Sequence, residues 1–167
     1  SDGDAHELPS PVDKEEPGKW AQKRRLATAM RLVMERLVPS NAPEEELARA
    51  ADGLERYAEA LAAHPRLRYV HGYAESATAG DAGAFFDQSP MIGLANPLAP
   101  PISIAKTGDR TAVGKVTFGS AYEGAPGCVH GGFLAAALDE ALGLACIFSG
   151  SPGMTGELTI QYRSPTP

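Results

Sequence analysis

Cysteine, aromatic residues and long apolar runs are all scarce in this chain. Two cysteines, Cys128 and Cys146, are too few for a disulfide framework or a zinc site, and point to a reducing, cytoplasmic setting. Metal and redox cofactors are not expected. The most apolar stretch carries Asp139 and Glu140 in its middle, so it falls short of the run of about eighteen apolar residues a membrane span needs. The opening residues are acidic and Pro-rich and read as no signal-peptide core. An excess of positive charge is also missing. With 15 Lys and Arg against 21 Asp and Glu, the net charge is −6, which argues against nucleic acid as the main partner. What remains is globular in composition: 167 residues, 43% hydrophobic and 22% charged, enough for one compact domain and an accessory segment.

Residues 1 to 18 hold little to bury and read as a disordered acidic tail. From Lys19 to Val38, Trp20, Leu26, Met30, Val33, Met34 and Leu37 recur mostly at three- and four-residue spacing. That predicts an amphipathic helix with Lys23, Arg24, Arg25 and Arg31 largely on its wet side. Pro39 ends it, and Asn41 is placed to cap a second helix from Pro43 to Ala63, with Leu47, Ala50, Ala51, Leu54, Ala58 and Leu61 facing inward. The pair forms a helical hairpin over 19 to 65, too short to be a robust domain alone. Glycines and prolines punctuate 66 to 100, which reads as a connector with a short helical turn near Phe85 and Phe86. Beyond Pro101 the period changes to two. Ile102 to Lys106 and Thr111 to Phe118 predict antiparallel strands joined by a tight turn at Gly108-Asp109, and Thr155 to Arg163 predicts a third strand.

Between these strands, after a loop from Ala121 to Val129, the stretch from His130 to Phe148 is apolar on nearly all sides. Such a helix is expected to be buried, wrapped by the sheet on either side of it in sequence. Burying its two acids unpaired would cost several kcal/mol. Neighbouring helical residues point about 100° apart, so Asp139 and Glu140 cannot share one environment: one takes a special role and the other a solvent or interface position. At the helix start, Gly131 and Gly132 leave backbone N–H groups bare, suited either to tight packing or to holding a developing oxyanion.

The block Tyr122-Glu123-Gly124-Ala125-Pro126-Gly127-Cys128-Val129-His130-Gly131-Gly132, followed by Asp139-Glu140 and Gly143, resembles the acyl-CoA thioesterases of the phenylacetic-acid-degradation type. The segment from Thr155 through Gln161-Tyr162-Arg163-Ser164-Pro165 is similar to the strand that follows the helix there. The resemblance spans residues 101 to 167. It implies an α+β hotdog fold, an antiparallel sheet wrapped around a long central helix, here preceded by the helical hairpin and lacking at least two later strands. It also implies hydrolysis of an acyl-CoA or related thioester. Asp139 would be general base or nucleophile, Gly131 the oxyanion-hole donor, His130 and Gly132 the shapers of that turn, and Thr155 an orienting hydroxyl. Gly124 stands where some relatives place an Asn that contacts substrate. The acyl pocket would be lined by Phe118, Phe133, Leu134 and a partner chain.

Helix geometry adds a constraint. Gly131 and Asp139 lie about 12 Å apart along one helix, too far to act on one carbonyl. A shared site therefore needs Gly131 of one chain and Asp139 of another, in a homodimer or a dimer of dimers. A Cys128–His130 nucleophile pair lacks an orienting third group. His64 and His71 read as solvated, Lys23-Arg24-Arg25 as a helix face or a contact for a CoA phosphate, and the Asp/His signature of hydratases sharing this fold is absent. The competing function is a non-catalytic acyl-thioester-binding or interaction module, favoured if the sheet ends with an unpaired edge after Arg163.

Overall fold

The computed structural model describes residues 18–66, 86–108 and 111–167. The acidic tail, most of the connector including His71 and Phe85, and Asp109 of the strand turn lie outside them. Helix α1 spans Lys19–Leu37 and α2 spans Glu44–Ala62. Strands β1 (Ser103–Gly108) and β2 (Thr111–Lys115) form an antiparallel pair, and α3 spans Gly131–Phe148. Ile104 opposes Gly114 and Lys106 opposes Ala112, with a bulge between Lys106 and Gly108. The result is a mixed architecture of helices and one small antiparallel sheet.

Alternation along β1 and β2 sends Ile104 and Ala112 to one face. There they meet Phe86, Met91, Ile92, Ile102 and Leu144 in the main core. Helix α3 reaches this core along Ala137, Ala141, Leu144 and Phe148, which recur at the three- and four-residue spacing of one helix face. The sheet meets only that face. Leu138 and Leu142 on another face are 50% and 52% exposed. The described residues do not form the wrapped helix expected from the sequence: their two strands are too narrow to enclose a cylinder about 10 Å across. Among the described residues α3 is the helix long and apolar enough to cross a bilayer, a test that the core helix of a soluble protein also passes.

The third strand does not form. Residues 151–167 run without regular structure, and Ile160 is the one residue there that is not exposed. A strand exists only through the ladder it shares with a neighbour, and 151–167 pairs with neither β1 nor β2. The segment is instead fixed at a few points: Val129 N–H donates to the Thr166 carbonyl at 2.9 Å, and the Tyr162 hydroxyl donates to the Gly131 carbonyl at 2.8 Å.

The first helix packs through an unexpected stripe. Trp20, Arg24, Ala27, Arg31 and Met34 are buried or half-buried, whereas Met30, Val33 and Leu37 are exposed. Arg24 and Arg31 thus face the protein and not solvent, because the loop after Phe86 presents acceptors to them. Arg24 Nε donates to both carboxylate oxygens of Asp87, at 3.1 and 2.8 Å, and Asp87 is 1% exposed. Arg31 donates to the carbonyls of Asn96 (2.9 Å) and Leu94 (3.3 Å). The loop itself is tight. The Ser89 hydroxyl oxygen accepts from the N–H groups of Met91 and Ile92, and a Cβ on Gly93 would overlap the carbonyl oxygens of Ser89 and Asp87. Helix α2 buries none of its residues: Leu47, Leu54 and Leu61, expected to face inward, are all exposed. Asn41 does not cap it. Pro43 holds the N-cap position, with three glutamates in the first turn to complement the dipole.

Candidate functional site

The turn into α3 is built by the loop whose sequence stood out. Glu123 and Val129 form an antiparallel bridge, Gly124 N–H donates to the Cys128 carbonyl at 2.9 Å, and Cys128 N–H returns a bond to Ala125. Gly127 lies at φ 72°, where a side chain is disfavoured, and its N–H donates to the Glu123 carboxylate at 2.7 Å. Glu123 and Gly127 are thus parts of one closed loop. Gly124 is held to glycine from another side, since a Cβ there would stand 2.8 Å from the His130 Cα. A larger side chain at this position would not fit the loop as it stands.

His130 is the N-cap of α3, and its Nδ1 accepts from Gly132 N–H at 3.0 Å. With Nδ1 accepting, the ring proton sits on Nε2. A Cβ on Gly132 would press against that ring at 3.1 Å, and one on Gly131 would press on the Tyr162 ring at 3.2 Å. The Gly131 N–H finds no acceptor among the described residues, and it stands at the positive end of the helix dipole. A cleft of about 460 Å³ opens beside it, lined by Gly124, Cys128, His130, Gly131, Leu134 and Tyr162 among others. Phe133 packs edge-on against Tyr122 with centroids 4.9 Å apart, and Tyr122 against Phe118 at 5.6 Å, so these rings brace the turn. The Tyr122 hydroxyl donates to the Leu98 carbonyl, and burial raises its pKa above the ordinary tyrosine value.

Asp139 lies two turns further along α3, in a separate place. Its carboxylate is exposed, and the Thr155 hydroxyl donates to it at 2.6 Å. The irregular segment after α3 therefore carries Thr155 to the mid-helix acid without forming a strand. A second cleft, of about 400 Å³, lies here, lined by Phe86, Asp139, Glu140, Leu144, Ile147, Met154 and Thr155 among others.

Glu140, which the sequence left to solvent or an interface, is the more buried of the two acids. Loss of solvent raises its pKa above the usual carboxylate value, the Asp139 charge adds to the rise, and a hydrogen bond from the Ser89 hydroxyl opposes it. Sequence reasoning missed this because the loop that shields Glu140 comes from some fifty residues earlier in the chain. The remaining signals are dispersed. Cys128 is half-buried in the loop, Cys146 is exposed on the far turn of α3, and both are free. Lys23 lies with its ammonium 4.5 Å over the Trp20 ring, its pKa lowered first by burial and then by Lys19. Among the described residues no group of acids, histidines and cysteines is arranged to hold a metal ion.

One chain thus holds an unused backbone N–H and an oriented carboxylate apart, each beside a different cleft. No family model matches the sequence. A crystal structure described as that of a thioesterase superfamily protein is similar at 31% sequence identity, with a TM-score of 0.77 over 98% of this chain and 75% of that one. At that identity and coverage, the chain belongs to the thioesterase superfamily.

Proposed function

We propose that the protein hydrolyses an acyl-CoA-type thioester at a site shared between two copies of the chain. The observation that carries this reading is the exposed Asp139 carboxylate with the Thr155 hydroxyl on one oxygen. Such a group keeps a free lone pair beside a cleft and has the partner that fixes its direction. Asp139 takes a proton from water, the water oxygen attacks the thioester carbonyl carbon, and the carbonyl oxygen becomes an oxyanion. The C–S bond then breaks, the thiolate takes up the proton, and a carboxylic acid and a thiol leave. In the alternative route the Asp139 carboxylate attacks the thioester carbon directly, the C–S bond breaks to release the thiolate, and water cleaves the resulting mixed anhydride at the Asp139 carbonyl carbon, giving the acid and a proton for the thiolate.

The oxyanion needs a donor near 3 Å. Gly131 N–H of the same chain is about 12 Å away along the helix, so the donor is Gly131 of a second copy, at the positive end of its α3. His130 and Gly132 hold that turn in shape.

Gly131 is the first helical residue, where the backbone tolerates proline and loses its N–H, and Gly131→Ala, which adds the same Cβ against the Tyr162 ring but keeps the N–H, is the control. Gly131→Pro and Asp139→Asn are each expected to abolish turnover of short- and medium-chain acyl-CoAs. Mixed after unfolding and refolding together, the two inactive variants should regain about a quarter of wild-type activity, since half the dimers are mixed and each has one intact site of two. A mixture that stays inactive while both variants dimerise refutes the shared site. An active Asp139→Asn refutes the catalytic role of the carboxylate. Single turnover in solvent with labelled oxygen separates the routes, because direct attack leaves solvent oxygen in the Asp139 side chain.

A further inference from the structure

The cleft beside Asp139 contains one feature the hydrolytic step does not use. Its walls are largely apolar, from Phe86, Leu144, Ile147 and Met154, and into this lining comes the second carboxyl, Glu140. Glu140 is half-buried and accepts the Ser89 hydrogen bond. The Ser89 oxygen is itself fixed by the N–H groups of Met91 and Ile92. Ser89 is in turn set in place by a tight loop, whose Asp87 is clamped by Arg24. A carboxyl is costly to bring this far from water unless its hydrogen bonds are satisfied. The structure supplies one partner from behind. A carboxyl has capacity for several, and the group lies against a cleft that has no other half-buried acid.

The reacting carbonyl must lie within reach of Asp139, which also borders a more open groove along Ala135, Ala136, Gly156 and Leu158; the more enclosed of the two, with Glu140 in its wall, is the one that can surround an acyl group. Glu140 follows Asp139 by about 100° of helix rotation, further round the same lining. We infer that Glu140 is a specificity residue, and that this cleft selects acyl groups bearing a hydroxyl or other hydrogen-bond donor on their chain over plain alkyl groups of the same length. A hydroxyl donating to Glu140 replaces the water that the carboxyl gives up when the cleft fills. An alkyl chain of equal length strips that water and returns nothing. The inference rests on the thioesterase reading for its catalytic readout, but not for its binding readout.

The test is a ratio. The kcat/KM for omega-hydroxyacyl-CoA is divided by that for the unsubstituted acyl-CoA of equal length, from butanoyl to octanoyl, in the wild type, Glu140→Gln and Glu140→Leu. A hydrogen bond to a half-buried carboxyl gives the wild type a ratio of about ten or more at the best-fitting length. Glu140→Gln, which keeps an acceptor, is expected to retain most of it, and Glu140→Leu to bring it to one or below. A general loss of folding lowers both rates and leaves the ratio, so the ratio reads the contact. A wild-type ratio near one at every length, or an unchanged ratio in Glu140→Leu, overturns the inference.

If the wild type cleaves no thioester, the hydrolytic reading fails by itself, and the pocket is read by ligand-observed NMR with hexanoate and omega-hydroxyhexanoate. Preference for the hydroxy acid in the wild type, lost in Glu140→Leu, supports the inference. Equal binding of the two acids overturns it.

Discussion

Replacing Arg24 by methionine keeps an unbranched apolar stem and removes the guanidinium that holds Asp87. The Arg24 side chain is 16% exposed and that of Asp87 1%, so the carboxylate left behind has almost no route to water. Breaking a buried ion pair by removing one partner costs about 3–5 kcal/mol, since the remaining charge is uncompensated. For a chain of this size each kcal/mol lowers Tm by about 2–4 °C, so the expected fall is about 6–20 °C. The assay is a thermal melt followed by circular dichroism, with urea unfolding to confirm that the slope is unchanged. Arg25→Ala is the control. Arg25 is exposed on the same turn and among the described residues reaches only Gln22, at 3.5 Å, so its loss should cost at most about 0.5 kcal/mol. Arg24→Met combined with Asp87→Leu should recover most of the stability, because no stranded charge remains. If Arg24→Met melts with the Arg25→Ala control, the pair does not anchor α1 and the argument from burial is wrong.

Thr155→Val removes the donor to Asp139 and should lower kcat about 10- to 100-fold in a thioester-cleavage assay, the value of one hydrogen bond to a charged group. Because both residues are exposed, its Tm should stay near wild type. His130→Ala removes the α3 cap and should cost about 0.5–2 kcal/mol in urea unfolding, whereas His130→Asn, which also caps, should cost less. Glu140 has a native pKa raised above its unfolded value, so it favours the native state most at low pH, and that contribution is lost as pH rises through the native pKa. Glu140→Gln should therefore be more stable than wild type at neutral pH, with the difference shrinking as pH falls towards the ordinary carboxylate value. The opposite trend in paired melts would refute the burial argument.

Local signals were legible in the sequence where local physics decides. The spacing of apolar residues and the flanking prolines located α1 and α2. The change to period two located the β1–β2 pair, and the glycine pair after His130 located the start of α3, because helices, hairpins and caps are set by neighbouring residues. The same is true of the loop from Glu123 to His130, whose Glu and Gly satisfy each other within five residues. The resemblance carried by that loop and by Asp139 pointed to the superfamily that the structural comparison bears out.

Which surface each element buries was decided only by the tertiary structure. Arg24 and Arg31 looked like the wet side of α1 because the sequence cannot show that Asp87 and the carbonyls of Leu94 and Asn96 lie opposite them, more than sixty residues away. Thr155 to Arg163 alternates like a strand, yet a strand needs a neighbour to bond, and alternation does not provide one. Asp139 and Glu140 are adjacent carboxylates with the same intrinsic chemistry. Only the packing of the Ser89 loop against α3 gives one an exposed place under Thr155 and the other a half-buried place in the wall of the cleft.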